Sequence, residues 1–219
     1  MKRHSSYLLK RSVLKAGAQA LAVIGTVFFM GSTAQADDAS ALAFVQKEAA
    51  AMEASLRANQ GDNAQNALID SFVDYDEFAR RSLGQPCPPA VPGCTNWNAK
   101  LTPEQQANMR RLLRLVLQKS YKRTIKKTLD YNLTYKSVKA SPLGDNRVRS
   151  LAQSKVNPRD PEIQVDYNVR ATGDPKVVDM VAEGASVTKN YYDSLNKKLS
   201  NEGYDAAVTM LTNKINKKE

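Results

Sequence analysis

Residues 102–127 read TPEQQANMRRLLRLVLQKSYKRTIKK, and this stretch decides the fold. Thr102 is a preferred N-cap residue, Pro103 suits the first helical position, and Gln105 completes a capping-box pattern. Apolar residues then recur at three- and four-residue steps, which predicts one long helix with a single apolar face. Such a face either packs as ordinary core or lines, in part, a ligand cavity. Its residues are Met109, Leu112, Leu113, Val116, Leu117, Ser120, Tyr121 and Ile125.

Residues 1–36 have the three parts of a secretory signal peptide. Basic residues precede an apolar run over residues 16–30 that is too short for a membrane span, and Ala34-Gln35-Ala36 forms a small-x-small cleavage site. We therefore expect export to the periplasm by the Sec route, or by the Tat route because the basic region is similar to a twin-arginine signal. The mature protein is expected to be one domain formed by residues 37–219.

The formal net charge of +10 falls by about half when the signal segment is removed, because the charged residues of that segment are all basic. A modest positive charge suits anionic membrane surfaces or acidic partners, and no motif indicates nucleic-acid binding. The only histidine, His4, leaves with the signal, which excludes histidine-dependent nucleophiles and zinc sites. Carboxylate-only hydrolysis through Asp74 or Glu183 stays open as an alternative, although Asp74 also suits an N-cap and Glu183 a strand end.

Two cysteines, Cys87 and Cys94, lie in the proline-rich segment QPCPPAVPGCTNW. In an oxidising exported compartment, cysteines this close together predict a disulfide that closes a short loop. A redox or metal-binding pair is the alternative. The spacing is not C-x-x-C and other soft ligands are lacking, so the disulfide is favoured.

The periodicity of the remaining chain predicts helices before and after an antiparallel sheet. Residues 150, 152 and 154 are Ser, Ala and Ser on one face of the second strand, and they leave volume that either a helix side chain or a ligand fills. Helices are expected at residues 39–58, 64–70 and 74–83 before the long helix, and at 186–200 and 204–217 near the end. Period-two alternation predicts four strands, at residues 129–136, 147–156, 163–170 and 176–183, joined by short turns.

Motifs spread along nearly the whole mature chain follow one another in a fixed order. They are Asp74-Tyr75-x-x-Phe78-Ala79-Arg80-x-x-Leu83-Gly84, Trp97, Leu101-Thr102-Pro103-Glu104-Gln105, the apolar part of the long helix with Tyr121, residues 176–192 (KVVDMVAEGASVTKNYY), and Gly203-Tyr204-Asp205. Together they resemble the MlaC (toluene-tolerance, ABC-transporter auxiliary) family. The segment that carries the two cysteines, between Gly84 and Trp97, departs from that family's pattern.

The resemblance implies an α+β fold in which a four-stranded curved antiparallel sheet and several helices enclose an apolar lipid pocket. It implies a monomeric periplasmic shuttle that carries phospholipid between an outer-membrane lipoprotein/porin complex and an inner-membrane complex of MCE protein and ABC transporter, maintaining outer-membrane lipid asymmetry. Such a protein is not an enzyme and needs no cofactor, since phospholipid is its cargo. The alternatives are a non-catalytic periplasmic adaptor or structural protein with a packed core, and a carrier of another lipid such as a hopanoid.

The inward faces of the predicted elements supply the candidate pocket under this resemblance. Tyrosines at its mouth are expected to bond glycerol or phosphate oxygens while their rings cover the chains. Arg80, Lys122 and Arg149 are expected to meet the phosphate outside. No catalytic or metal-binding residue is predicted. The candidate lipid-binding residues are Tyr75, Phe78, Leu113, Val116, Leu117, Tyr121, Tyr131, Leu133, Ala152, Val165, Tyr167, Val178, Met180, Val187 and Tyr191.

Overall fold

The computed structural model of the protein describes residues 38–89 and 91–217, so the predicted signal segment lies outside the described residues. One group of helices precedes an antiparallel sheet and a second group follows it, in the predicted order, which confirms the α+β class. The helices are α1 (Asp38–Arg57), α2 (Asp62–Phe72), α3 (Tyr75–Ser82), α4 (Pro103–Thr128), α5 (Val187–Asn201) and α6 (Tyr204–Asn216). The strands, in their order across the sheet, are β1 (Tyr131–Ala140), β2 (Asn146–Ser154), β3 (Ile163–Val169), β4 (Val177–Ala182) and β5 (Ala185–Ser186).

The sheet has five strands and not the four that the alternation predicts. Glu183 and Gly184 both have positive φ angles, 48° and 79°, which is the geometry of a two-residue hairpin turn. This turn pairs β4 with the two-residue strand β5, whereas the sequence pattern ends the sheet at Gly184. Since β5 leads directly into α5, Ser186 also caps that helix by accepting a hydrogen bond from the Lys189 N–H at 3.0 Å.

Helix α4 begins with the predicted capping box. The Gln105 N–H donates to Thr102 Oγ1 at 3.3 Å, and the Thr102 N–H donates to Gln105 Oε1 at 3.0 Å. These reciprocal bonds satisfy backbone donors that the first helical turn leaves unpaired. The start of α4 is therefore stabilised by contacts within its own first turn.

Two apolar clusters form the core, and α4 contributes to both. In the first, the buried face of α4 packs with α3, α5 and α6, where each fully buried aliphatic side chain contributes about 1.5–3 kcal/mol relative to an exposed one. In the second, α1 and α2 cover the sheet, and Tyr121 near the end of α4 packs against them. The α4 residues buried in the first cluster are Met109, Leu112, Leu113, Val116 and Leu117.

Two register shifts change which strand residues share a face. One lies between Tyr135 and Ser137 in β1, and the other lies between Asn168 and Val169 where β3 pairs with β4. A shift of one residue exchanges the two faces of a strand. Beyond the second shift, Val177 packs in the cluster under α1 and α2, in the place that strict alternation gives to Val178.

The segment between α3 and α4 is held by a close backbone approach at Gly84. Its φ angle is +84°, and a Cβ built there would lie against the Thr95 carbonyl oxygen and 2.8 Å from the Tyr192 ring. The same tyrosine hydroxyl accepts a hydrogen bond from the Thr95 N–H at 2.9 Å. The predicted disulfide between Cys87 and Cys94 is present in this segment, with their Cα atoms 5.7 Å apart.

We expect Gly84→Ala to destabilise the protein more than Gly144→Ala does. Gly144 has nearly the same φ angle, +85°, but a Cβ there would meet nothing within 4 Å, so it reports the backbone penalty alone, about 1–2 kcal/mol. At Gly84 the clash with Thr95 and Tyr192 adds roughly 1–3 kcal/mol. The free energy of unfolding in urea measures both changes, and equal losses in the two variants would show that the close approach has no energetic weight.

Candidate functional site

A cavity of about 360 Å³, which we call the first cavity, lies between α1 and the sheet. Helix α1 forms one wall, and the alternate residues of β1 that point inward form the facing wall. Side chains from α2, α4 and β3 complete it. The lining residues are Gln46, Glu48, Ala49, Ala50, Met52, Glu53, Phe72, Tyr121, Tyr131, Asn132, Leu133, Tyr135, Lys155 and Tyr167.

The first cavity is left open for two reasons. Aromatic rings hold the helix layer away from the sheet, and the side chains of α1 that face the gap are partly small. Ala49 and Ala50 offer little volume to the space in front of β1. The ring of Phe72 packs edge-on against Tyr121 and Tyr167, with centroids 5.9 Å and 6.0 Å away. Protein interiors are normally close-packed, so a gap of this size needs such rigid spacers.

Three phenol groups of the first cavity, those of Tyr121, Tyr135 and Tyr167, stay uncharged at neutral pH. Burial raises the pKa of Tyr121, Tyr135 and Tyr167 above the ordinary value, because a phenolate there would lack solvation. Glu53 and Lys155 have exposed side chains where the cavity opens, whereas the Glu48 side chain, also in the lining, is only 12% exposed and accepts a hydrogen bond from the Ser71 hydroxyl at 3.0 Å. The interior therefore offers mainly apolar surface and neutral hydroxyl groups, with one carboxyl group among them.

The ionised residues at the opening have partners within the protein. The guanidinium of Arg57 contacts Glu53 at 2.6 Å, and this hydrogen bond lowers the pKa of the Glu53 carboxyl. The Lys155 ammonium donates to the Leu129 carbonyl oxygen at 2.9 Å. An ammonium group has three hydrogen-bond donors, so this bond leaves Lys155 with donors that an anion could accept.

A second cavity, of about 100 Å³, lies among α3, α4, α5 and β4. Its two polar lining residues are Ser120 and Asp179. Asp179 is bound by the Thr188 N–H at 2.9 Å and the Ser186 hydroxyl at 2.7 Å, while burial raises the pKa of its carboxyl. The apolar lining residues are Val73, Phe78, Leu117, Tyr121, Val177, Met180 and Val187.

The structure brings together eight of the predicted lipid-binding residues as lining of these two cavities. Tyr121 lines both, and the two sets otherwise differ. The first cavity is also lined by Tyr131, Leu133 and Tyr167, whose inward positions follow from the alternation of β1 and β3. The second is also lined by Phe78, Leu117, Met180 and Val187.

The other predicted residues line neither cavity. Leu113 and Val116 are buried in the helical cluster, and Tyr191 packs edge-on against Phe78 there. The Tyr75 hydroxyl donates to Asp70 at 2.9 Å. Ala152, Val165 and Val178 lie in strands. The cross-strand partners of Ala152 are Leu133 on β1 and Ile163 on β3.

The sequence analysis did not assign the wall formed by α1. Periodicity places Ala49 and Met52 on the inner face of that helix, and both line the first cavity. The run of alanines at residues 49–51 was the available signal, because a helix face without volume cannot fill the space opposite large strand residues. Phe72, Tyr135 and Val177 were also missed.

The three basic residues expected at a phosphate have other positions. Arg80 pairs with Glu77 at 2.7 Å, and Lys122 pairs with Asp62 at 3.3 Å. The Arg149 guanidinium donates to Gln164 Oε1 at 2.9 Å. None of the three lines either cavity, whereas Lys155 stands at the opening of the first.

Asp74 and Glu183, the two residues of the alternative hydrolase hypothesis, both accept hydrogen bonds from the backbone. Asp74 caps α3 by accepting from the Glu77 N–H at 3.1 Å and pairs with Arg170. Glu183 accepts a hydrogen bond from the Gln164 N–H. Neither lines the first or the second cavity described above, but Asp74 lies with Glu77 and Arg170 in the lining of a separate polar cleft of about 650 Å³. In residues 38–89 and 91–217 no group of three or more His, Cys, Asp or Glu side chains could hold a metal ion. Over the same described part of the chain, no helix has the length and hydrophobicity needed to cross a membrane.

Comparisons with known proteins point in one direction. The sequence profile of the MlaC protein family matches residues 43–213. No curated protein matches the chain. Among solved structures, a phospholipid-binding protein from Ralstonia solanacearum, in complex with a phospholipid, has a similar fold with a TM-score of 0.62. The two sequences are 19% identical over 80% of this chain and 96% of that chain, so the likeness concerns the fold.

We expect the first cavity to bind the neutral fluorophore N-phenyl-1-naphthylamine, whose emission rises in apolar surroundings. Ala49→Phe, which fills the cavity, should weaken binding by roughly tenfold, the equivalent of ~1.4 kcal/mol of lost apolar contact. Ala54→Phe adds the same ring to the exposed side of α1 and should leave binding unchanged. A fluorescence titration in which Ala49→Phe binds as well as Ala54→Phe would place the probe elsewhere.

Proposed function

The chain belongs to the MlaC protein family, and we propose that it binds phospholipid in the first cavity and carries it through the periplasm. The observation that supports this proposal is the cavity itself. It joins a mainly apolar interior, in which Glu48 is the one largely buried carboxyl residue of the lining, to an opening with a lysine, so one end suits acyl chains and the other a phosphate. A site of this kind needs no catalytic group.

The energetics of chain burial suit a carrier. Each methylene removed from water contributes about 0.8 kcal/mol, but a chain in a bilayer is already out of water. Moving it from a membrane into the cavity is therefore close to neutral in free energy. The protein keeps the chains away from water during the crossing, and direction has to come from its partners or from ATP hydrolysed elsewhere.

Lys155 is the residue that we propose for the phosphate. Its ammonium uses one hydrogen-bond donor on Leu129 and lies at the exposed edge of the first cavity. A lysine binds phosphate as a mobile point charge, more loosely than a bidentate arginine does. Loose binding of the head group is what a protein that must release its cargo requires.

We further propose that residues 1–36 direct export and are removed, and that the mature monomer exchanges lipid with two membrane complexes. These are an outer-membrane lipoprotein/porin complex and an inner-membrane complex of MCE protein and ABC transporter, which together would maintain outer-membrane lipid asymmetry. Family membership and the signal-like sequence support this part of the proposal. The competing hypothesis of an adaptor with a packed core is disfavoured by the size of the first cavity.

Organic extraction of the protein purified from periplasm, followed by mass spectrometry, tests the proposal. We expect phospholipid in the extract of the wild-type protein and of Ala54→Phe, and much less in that of Ala49→Phe. A hopanoid as the main lipid would replace phospholipid as the cargo. An extract without lipid, from protein that is folded, would favour the adaptor.

Lys155→Glu should reduce the retention of anionic phospholipid, because it places a negative charge beside the phosphate. Lys136→Glu makes the same change in charge at an exposed position of β1 that does not line the cavity, and it serves as the matched control. Retention is measured after incubation with phosphatidylglycerol vesicles, at low and at high salt, since an exposed charge contact weakens with ionic strength. Equal retention by the two variants would remove Lys155 from the site.

A further inference from the structure

The two cavities are neighbours that share a wall residue. Tyr121 lines both of them. On α2 and the residue after it, Phe72 lines the first cavity and Val73 the second. On the sheet, Tyr167 lines the first cavity, and its direct cross-strand partner Met180 lines the second. Residues of α4, of the end of α2 and of the sheet therefore all lie between the two cavities.

One weak contact lies at the boundary. The Tyr121 hydroxyl donates to the sulfur of Met180, and a thioether is a weak hydrogen-bond acceptor. Methionine has three rotatable bonds and readily changes its shape in a core. The contact that separates the cavities is thus one that a ligand can displace with little loss.

The second cavity is chemically matched to hydrocarbon. Apart from Ser120 and Asp179 its lining is apolar, and the Asp179 carboxyl oxygens are already bound by Ser186 and Thr188. Water gains little in such a space, and an empty apolar void in a core is costly. The end of an acyl chain would fill it while the Asp179 oxygens keep their hydrogen-bond partners.

We propose that Tyr121 and Met180 form a displaceable partition, and that the methyl end of an acyl chain in the first cavity passes it to occupy the second. This inference rests on the proposed function and adds a consequence for specificity. Long chains reach the second cavity and short chains end at Tyr121. The partition therefore sets the chain length that the protein binds best.

A homologous series of 1-acyl lysophosphatidylglycerols, each kept below its critical micelle concentration, tests the inference. Affinity should rise by roughly fourfold for each added methylene for as long as the chain finds apolar space. In the wild-type protein the rise should stop only when the second cavity is full. Ser120→Phe fills that cavity from α4, so its affinity should match the wild type for short chains and stop rising several methylenes earlier.

Three further variants complete the series. Met180→Ala removes one side of the partition, leaves the packing of Tyr121 on Phe72 in place, and should bind long chains at least as well as the wild type. Ala49→Phe fills the first cavity and should weaken binding at every chain length. Val187→Phe fills the second cavity from another helix, and it replaces Ser120→Phe if that variant does not show a cooperative unfolding transition.

The outcomes separate this inference from the proposed function. If the wild type and the filled second-cavity variant stop gaining affinity at the same chain length, the second cavity holds no chain and the partition is overturned, while lipid binding in the first cavity stands. If the wild type binds no member of the series, the proposed function itself fails.

Movement of the partition has its own readout. With ¹³C-methyl-labelled methionine, the Met180 methyl signal, identified by its loss in Met180→Leu, should shift only with chains longer than the limit found for Ser120→Phe. A signal that shifts equally with every chain length, or with none, would contradict displacement of the contact.

Discussion

The packing of aromatic rings around Phe72 holds the helix layer at a fixed distance from the sheet. Its ring centroid lies 5.7 Å from that of Phe44, 5.9 Å from that of Tyr121 and 6.0 Å from that of Tyr167. Each such pair contributes about 0.5–1.5 kcal/mol beyond the area that it buries. The four rings come from α1, α2, α4 and β3, so ring size sets the spacing of the layers. Where α1 then offers the small side chains of Ala49 and Ala50 among its lining residues, the layers do not close and the first cavity remains.

The wall of the first cavity is mainly apolar and also carries hydroxyl groups. Burial keeps the phenols of Tyr121, Tyr135 and Tyr167 protonated, so hydroxyl groups stay available inside the cavity without adding charge. Glu53 and Lys155 are exposed at the opening, whereas Glu48, which also lines the cavity, accepts a hydrogen bond from the Ser71 hydroxyl. For the carrier that we propose, this division means that acyl chains meet mainly apolar and neutral groups inside, and a head group stays in contact with solvent.

Much of the fold follows from local patterns, because those patterns are read on one element at a time. The capping box at Thr102 and Gln105 places the start of α4, and alternation along β1 turns Leu133 inward. Positions that depend on two elements are harder to predict. The register shift between β3 and β4 brings Val177 inward where alternation gives Val178, and a two-residue hairpin adds β5 beyond Gly184. The α1 wall depends on the distance between layers, which the aromatic rings set and which no periodicity contains. The bridging role of Tyr121 likewise needs the relative position of α4 and the sheet.

A crystal structure of the protein, purified from periplasm with its phospholipid bound, would test the assignment of the first cavity most directly. We predict continuous electron density for an acyl chain between Ala49 on α1 and Leu133 on β1, with the head group near Lys155. Lipid density at another surface, with α1 closed onto the sheet and the first cavity gone, would contradict this assignment.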